Sequence, residues 1–386
     1  MEDKVETHES QLANLDQATL TPLVRDALGS KTVEVLNWKC EQIHGGMAVG
    51  TSIYRFSGQG RDRGQSIPWS LILKILQPEG GSADGSAWNY FKREAEAYQS
   101  GFLDNLGGGL AAPRCFGFDK HADGTCWMWL EEIMEQIGAD WPLEHYGVVA
   151  RHLGHFNGLY LAGKPLPNWP WLSSDWIRQY VELSAPAMEQ LRDVQASPWG
   201  RRFLPEVDSH KYFQIWEQRA RYFDILDRLP QTICHLDAFR RNLFARKTAN
   251  GDDQTVLIDW AFVGRAPIGV ELSQLVLMSV ALGGIPFDRL PELEQIVFDG
   301  YLGGLREAGW QGDPRLVRLG YTASSVRYLF PEIGRWLELI LDETLHAAFE
   351  KMACISMTQS CYNMSTMRLL HFDYLEEARR LMPIMN

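Results

Sequence analysis

The sequence has little that would take it out of the ordinary soluble class. Its 386 residues contain no apolar run near the roughly 20 residues needed to cross a bilayer. The opening stretch MEDKVETHESQLANLDQ is acidic and polar, without the positive start or apolar core of a secretory leader. These absences predict a cytoplasmic protein that does not engage a membrane. Cysteine is sparse: six residues, none in a C-x-x-C pair, give no zinc or disulfide framework and predict reduced, buried thiols. Positive charge is also short, with 37 Lys and Arg against 49 Asp and Glu and a net charge of −12. A nucleic-acid surface needs clustered cations, so nucleic acid is excluded as a partner. An acidic field suits a cationic small molecule, although it serves equally well as a solubility device. No H-E-x-x-H or H-x-H-x-D cluster supports a metal hydrolase, and no G-x-x-x-x-G-K-[ST] phosphate loop occurs.

What is present is a chain too long for one small core, with 45% hydrophobic and 22% charged residues. That length predicts two lobes sharing a cleft. Residues 1–32 read as a polar, partly helical extension. Residues 33–133 read as five short strands broken by glycine, with one helix from about Trp88 to Leu103. KHADG marks a hairpin between the last two strands. Residues 134–386 are mainly helical, interrupted by TICHLDAFRRNLF and QTVLIDW.

The first interruption places His235, Asp237 and Asn242 in an H-x-D-x-x-x-x-N spacing. In phosphoryl transfer such an aspartate accepts the proton of an incoming hydroxyl, the asparagine ligates magnesium, and the histidine braces the loop. A plain solvated loop competes with this reading. Asp259 ends the apolar run Val256-Leu257-Ile258, where a carboxylate is placed either to hold a metal ion or to cap a turn. Lys74 interrupts the apolar strand LILKIL, serving either an anionic ligand or protection of a sheet edge. In the helix WNYFKREAEAYQSGFL, Phe91, Ala95, Tyr98 and Phe102 define the inward stripe. Glu94 falls beside that stripe and Glu96 opposite it, so Glu94 is the partner for Lys74. Gly45, Gly46 and Gly50 in HGGMAVG give a turn whose backbone can approach phosphate oxygens, or an ordinary hairpin. Trp169, Trp171 and Trp176 read more readily as packing than as a substrate wall.

HLDAFRRN, VLIDW, LILKIL and KREAEAY, in their relative positions, resemble the aminoglycoside phosphotransferase and choline kinase-like family. The resemblance implies an α+β, bilobal protein-kinase-like fold. It has a small N-terminal lobe of antiparallel sheet and one helix, and a larger, mainly helical C-terminal lobe. It implies ATP and Mg2+ as cofactors and a hydroxyl of a small molecule as acceptor: an antibiotic, a sugar, an amino alcohol or a secondary metabolite. By position, Asp237 is then the catalytic base, and Asn242 and Asp259 are the magnesium ligands. Lys74 contacts phosphates with Glu94 positioning it, and backbone groups near Glu131 and Ile133 hold adenine. The chain departs from the family at Leu236, where glycine is usual, a change that is tolerable where the backbone avoids positive φ. It departs also at Phe239, where a polar residue is common, and at Glu271, where Asp is common; Ala261 stands in place of the glycine of the protein-kinase triplet, as is usual in this family. The alternative is a nucleotide-binding module of the same fold without catalysis. In the acceptor region Glu332, Asp373, Glu376 and Glu377 are placed either to grip a cation or on a solvated helix face.

Overall fold

The computed structural model describes residues 8–43, 51–353 and 355–385. Five strands form one antiparallel sheet in the spatial order Glu34–Ile43, Thr51–Asp62, Gln65–Leu76, Cys126–Leu130, Cys115–Lys120. The second and third strands run longer than their apolar cores. Arg63 and Gly64, at φ 50° and 84°, close a two-residue turn that matches the twist of the flanking strands. Strand alternation sorts Gln65–Leu76 between two cores. Leu71, Leu73 and Ile75 face a cluster with Phe56, Trp127 and Trp129, while Leu76 faces Ala95, Met128 and Leu130. Lys74 shares the second face. It sits opposite Ile53 on one side and Met128 on the other, so its strand is interior and the edge-protection reading fails.

The extension is part of this sheet's core. Helix Gln17–Leu28 starts at Asp16, whose carboxylate accepts the Thr19 N–H at 2.8 Å, and ends at Gly29 in the left-handed region. Its Leu20 and Val24, one helical turn apart, are fully buried against Val33, Val35, Leu71 and Trp129. The chain divides into two compact units. One comprises residues up to Leu106, Ala111–Gln136 and Phe244–Ala261; the other comprises Gly107–Leu110, Ile137–Leu243 and Phe262 onward. A single cut near residue 133 misses the return of 244–261 to the first unit. There the Gln136 N–H donates to the Ala245 carbonyl at 3.2 Å, and Arg246 reaches Glu131 at 3.1 Å.

The helix expected over 88–103 spans only Arg93–Gln99, followed by a single 3-10 turn at Phe102–Asp104. The guanidinium of Arg93 captures the carbonyls of Gly85, Ala87 and Trp88 at 2.5–3.2 Å, wrapping that stretch as a loop around the side chain. Of the thiols, Cys126, Cys234 and Cys361 are buried, but Cys40 is exposed on the outer strand Glu34–Ile43.

The second unit is mainly helical. Helices Leu143–Leu161 and Leu290–Glu307 pack at backbone distance. A Cβ at Gly154 would lie 2.2 Å from the Tyr301 carbonyl oxygen, and one at Gly304 1.9 Å from that of Arg151. Strand Gln231–Cys234 pairs antiparallel with Gly264–Pro267. It is tied to the first of these helices by Asn157, whose amide donates to the Ile233 carbonyl at 2.7 Å. Asn157 accepts in turn from the hydroxyls of Thr232 at 2.8 Å and Tyr301 at 2.7 Å. Among the described residues no helix is long and apolar enough to cross a membrane.

Candidate active site

Three of the residues singled out in the sequence meet in the first unit. Lys74 is about 7% exposed at its side chain; its ammonium pairs with Glu94 and lies 2.7 Å from Asp259 Oδ1. Burial alone would pull the lysine's pKa down, but the carboxylates of Asp259 and Glu94 overcome it and hold the ammonium charged. The other oxygen of Glu94 accepts the Trp260 N–H at 3.2 Å. One carboxylate thus positions both Lys74 and the residue after Asp259. Asp259 adopts φ 64°, a left-handed conformation that turns the chain sharply as it leaves strand Asp253–Leu257. Its side chain is 28% exposed against 2% for Glu94, so solvent reaches the cluster at Asp259.

Arg93 secures the same turn. Besides the loop carbonyls, it donates to the carbonyl of Ala261 at 3.0 Å. Consecutive residues Arg93 and Glu94 therefore hold consecutive residues Ala261 and Trp260. Glu96 faces elsewhere and accepts from the Tyr90 hydroxyl at 2.6 Å.

Glu131 sits just past strand Cys126–Leu130, where its side chain pairs with Arg246 and its N–H donates to the Arg114 carbonyl at 2.8 Å. Its amide is thus already bonded. Gly46 and Gly50, with the rest of the glycine turn, lie outside the described residues.

In the second unit His235, Asp237 and Asn242 form one constellation directly after strand Gln231–Cys234. The Asn242 amide donates to Asp237 Oδ2 at 2.8 Å and to its carbonyl at 3.0 Å. The Asp237 N–H donates to His235 Nδ1 at 3.2 Å. Glu271 accepts the N–H groups of His235 at 2.6 Å and Leu236 at 3.0 Å, so its extra methylene does not prevent it from serving the loop. Arg327 donates to the Leu236 carbonyl at 2.7 Å.

Leu236 corrects an expectation. Its φ is 65°, in the region where glycine is at ease and a side chain is strained. Its amide and carbonyl are gripped by Glu271 and Arg327, and its side chain is 1% exposed. The surroundings thus over-determine the strained conformation.

Other residues escape the sequence reading. Gln274 donates to Asp237 Oδ1 at 2.5 Å, and the Tyr328 hydroxyl donates to the Gln274 carbonyl at 2.5 Å. Gln274 lies three residues after Glu271 on helix Val270–Ala281, a spacing that places both on one face. That spacing was the available signal. Arg93, Arg327 and Tyr328 left none, because nothing local in the sequence announces a buried cation or a distant hydroxyl. Of the acidic candidates for the acceptor, Glu377 pairs with Arg318 at 2.6 Å and Glu376 with Arg379 at 3.1 Å; Asp373 is exposed. The Glu332 side chain lies outside what is described. Trp171 and Trp176 are buried at 5% and 3%, as packing requires.

The sequence matches the model of the phosphotransferase enzyme family over residues 70–311, a span that contains both constellations. The chain belongs to that family. Its α+β architecture and its coarse activity, phosphotransfer, go with that membership. No curated protein matches the sequence. Among solved structures the chain is similar to the amicoumacin kinase hAmiN in complex with AMP-PNP, Ca2+ and its ligand, at 13% identity and TM-score 0.49, covering 96% of both chains. It is also similar to spectinomycin phosphotransferase APH(9)-Ia with ADP and spectinomycin, at 13% identity and TM-score 0.46, covering 96% and 99%. A third is choline kinase from Cryptosporidium parvum Iowa II, at 13% identity and TM-score 0.47, covering 89% of each chain.

Proposed function

We propose that the protein transfers the γ-phosphoryl group of ATP to a hydroxyl of a small molecule, with Asp237 as the base. The observation that carries this reading is the meeting of Lys74, Glu94 and Asp259. Segments distant in sequence converge to keep one buried ammonium charged and fixed, as a nucleotide-phosphate contact requires.

In the reaction the acceptor oxygen bonds to the γ-phosphorus and its proton passes to the Asp237 carboxylate. The bond to the β–γ bridging oxygen breaks, and ADP leaves with that electron pair. Asp237 suits the task because amides of Gln274 and Asn242 hold one oxygen each. Lys74 meets phosphate oxygens as a charge already in place, which requires little rearrangement during transfer.

Among the described residues no three His, Cys, Asp or Glu side chains gather to cage a metal ion. Mg2+ bound with a nucleotide asks for less: one or two protein oxygens, with phosphates and water completing the shell. The partly exposed carboxylate of Asp259 and the amide oxygen of Asn242 are each, taken separately, an oxygen of the kind such an ion would take. When bound, the ion neutralises charge on the phosphates.

The test is thermal unfolding with and without Mg-ATP. Wild type is expected to gain stability from Mg-ATP, and Asp259→Asn to lose most of that gain. No shift in wild type would reject the nucleotide assignment. A shift without turnover on any acceptor would favour a silent binding module of the same fold.

A further inference from the structure

We propose that Gln274 and Tyr328 form a one-directional donor relay that positions Asp237; this rests on the reading of Asp237 as the base. The direction of the relay follows from counting protons. The ionised Asp237 carboxylate only accepts, so the Gln274 group 2.5 Å away must be its NH2. The Gln274 carbonyl then points away, toward the Tyr328 hydroxyl at 2.5 Å, and a carbonyl forces that hydroxyl to donate. Tyr328 thereby decides which end of the amide faces the base. Without its hydroxyl, the amide could turn its oxygen toward the carboxylate and repel it.

The relay is anchored beyond Asp237. Tyr328 lies on helix Val326–Leu341, its hydroxyl 3.1 Å from that of Ser273, and its ring stacks on His371 of helix Met357–Leu381 at 5.7 Å between centroids. Gln274 is 5% exposed, so its hydrogen bonds form where water competes little. Asn242 fixes the second carboxylate oxygen from the loop itself. Each oxygen of Asp237 is therefore held by an amide from a different element, which sets the plane of the carboxylate. An error of about 1 Å in such a group costs on the order of a hundredfold in rate. Gln274 and Tyr328 are positioning residues, since they act through Asp237.

The experiment compares the full-length wild type with Gln274→Leu, Gln274→Glu, Tyr328→Phe and the Gln274→Leu/Tyr328→Phe double variant. The kinetic readout is Mg-ATP turnover with the best acceptor found by screening, or with water. The second readout is the side-chain amide NMR signal of Gln274, identified by its loss in Gln274→Leu. Gln274→Leu and Tyr328→Phe should each lower kcat about tenfold with KM for ATP nearly unchanged. The double variant should be little worse than either single one, because one relay is lost only once. Gln274→Glu, nearer in shape than Leu, should fall further, since it sets a negative charge against Asp237. In the spectrum, the Gln274 amide protons should move in Tyr328→Phe and in Asp237→Asn. Additive losses, an unchanged kcat, or amide protons insensitive to Tyr328→Phe would overturn the relay. If the amide signals respond as stated while no variant and no wild type turns over ATP, the relay stands and the phosphotransferase reading falls.

Discussion

The guanidinium of Arg93 donates to the carbonyl of Ala261 at 3.0 Å, and so fastens the turn that begins at Asp259 to the start of the helix carrying Glu94. Arg93 is fully buried and binds three further carbonyls, of Gly85, Ala87 and Trp88. Arg93→Met keeps the apolar stem and removes all these bonds at once. A hydrogen bond from a charged group contributes about 1.5–3 kcal/mol, so the variant should lose about 3 kcal/mol or more in urea unfolding. A loss under about 1 kcal/mol would show that the loop and the Asp259 turn hold themselves.

Leu236 offers a test in which the usual order of substitutions reverses. At an ordinary buried site, Leu→Gly is worse than Leu→Ala, because glycine adds backbone freedom to the unfolded chain. At φ 65° alanine keeps the Cβ clash that glycine relieves, a difference of about 1–2 kcal/mol. Both variants lose the buried side chain, but Leu236→Gly should be the more stable of the two in denaturant unfolding. Leu236→Ala proving the more stable would show that the backbone at this position relaxes.

Glu271 predicts a pH dependence. Burial pushes its carboxyl up to about 7, although the His235 and Leu236 N–H groups, the Cys234 thiol and Arg327 act in the opposite direction. The folded value therefore exceeds the unfolded one near 4.5, and the native state holds the extra proton between them. Stability from this group is complete below about 4.5 and is lost as pH rises through about 7. One proton corresponds to a slope of at most about 1.4 kcal/mol per pH unit. Unfolding free energies of wild type and Glu271→Gln, measured from pH 4.5 to 8, should diverge in slope by up to that amount. Parallel curves would contradict the assignment.

Much of this is legible in the sequence, for reasons visible residue by residue. Lys74 stood out because an ammonium in an apolar strand is costly without partners, and helical periodicity alone selected Glu94 over Glu96. Asp237, Asn242 and Asp259 were marked by spacing and by the apolar runs before them. The expected helix overruns Arg93–Gln99 because Trp88–Lys92 carries helical periodicity, while the carbonyl of Trp88, with those of Gly85 and Ala87 before it, is claimed by a side chain no local pattern announces. Helix Gln17–Leu28 was readable as a helix but not as core, since only Leu20 and Val24 of its residues are buried. The positive φ at Leu236 was invisible because leucine disfavours it. The contacts that impose it come from Glu271 and Arg327, 35 and 91 residues away.

The most direct measurement is an ATP-consumption screen with Mg2+ across antibiotics, sugars, amino alcohols and secondary metabolites, with mass detection of product, run on wild type and Asp237→Ala in parallel. The account predicts a phosphorylated product from at least one class with wild type. With Asp237→Ala it predicts turnover lower by about 10²–10⁴, the share a positioned base supplies, and ATP binding retained. Full turnover by Asp237→Ala, or no phosphorylated product from any class with wild type, would contradict it.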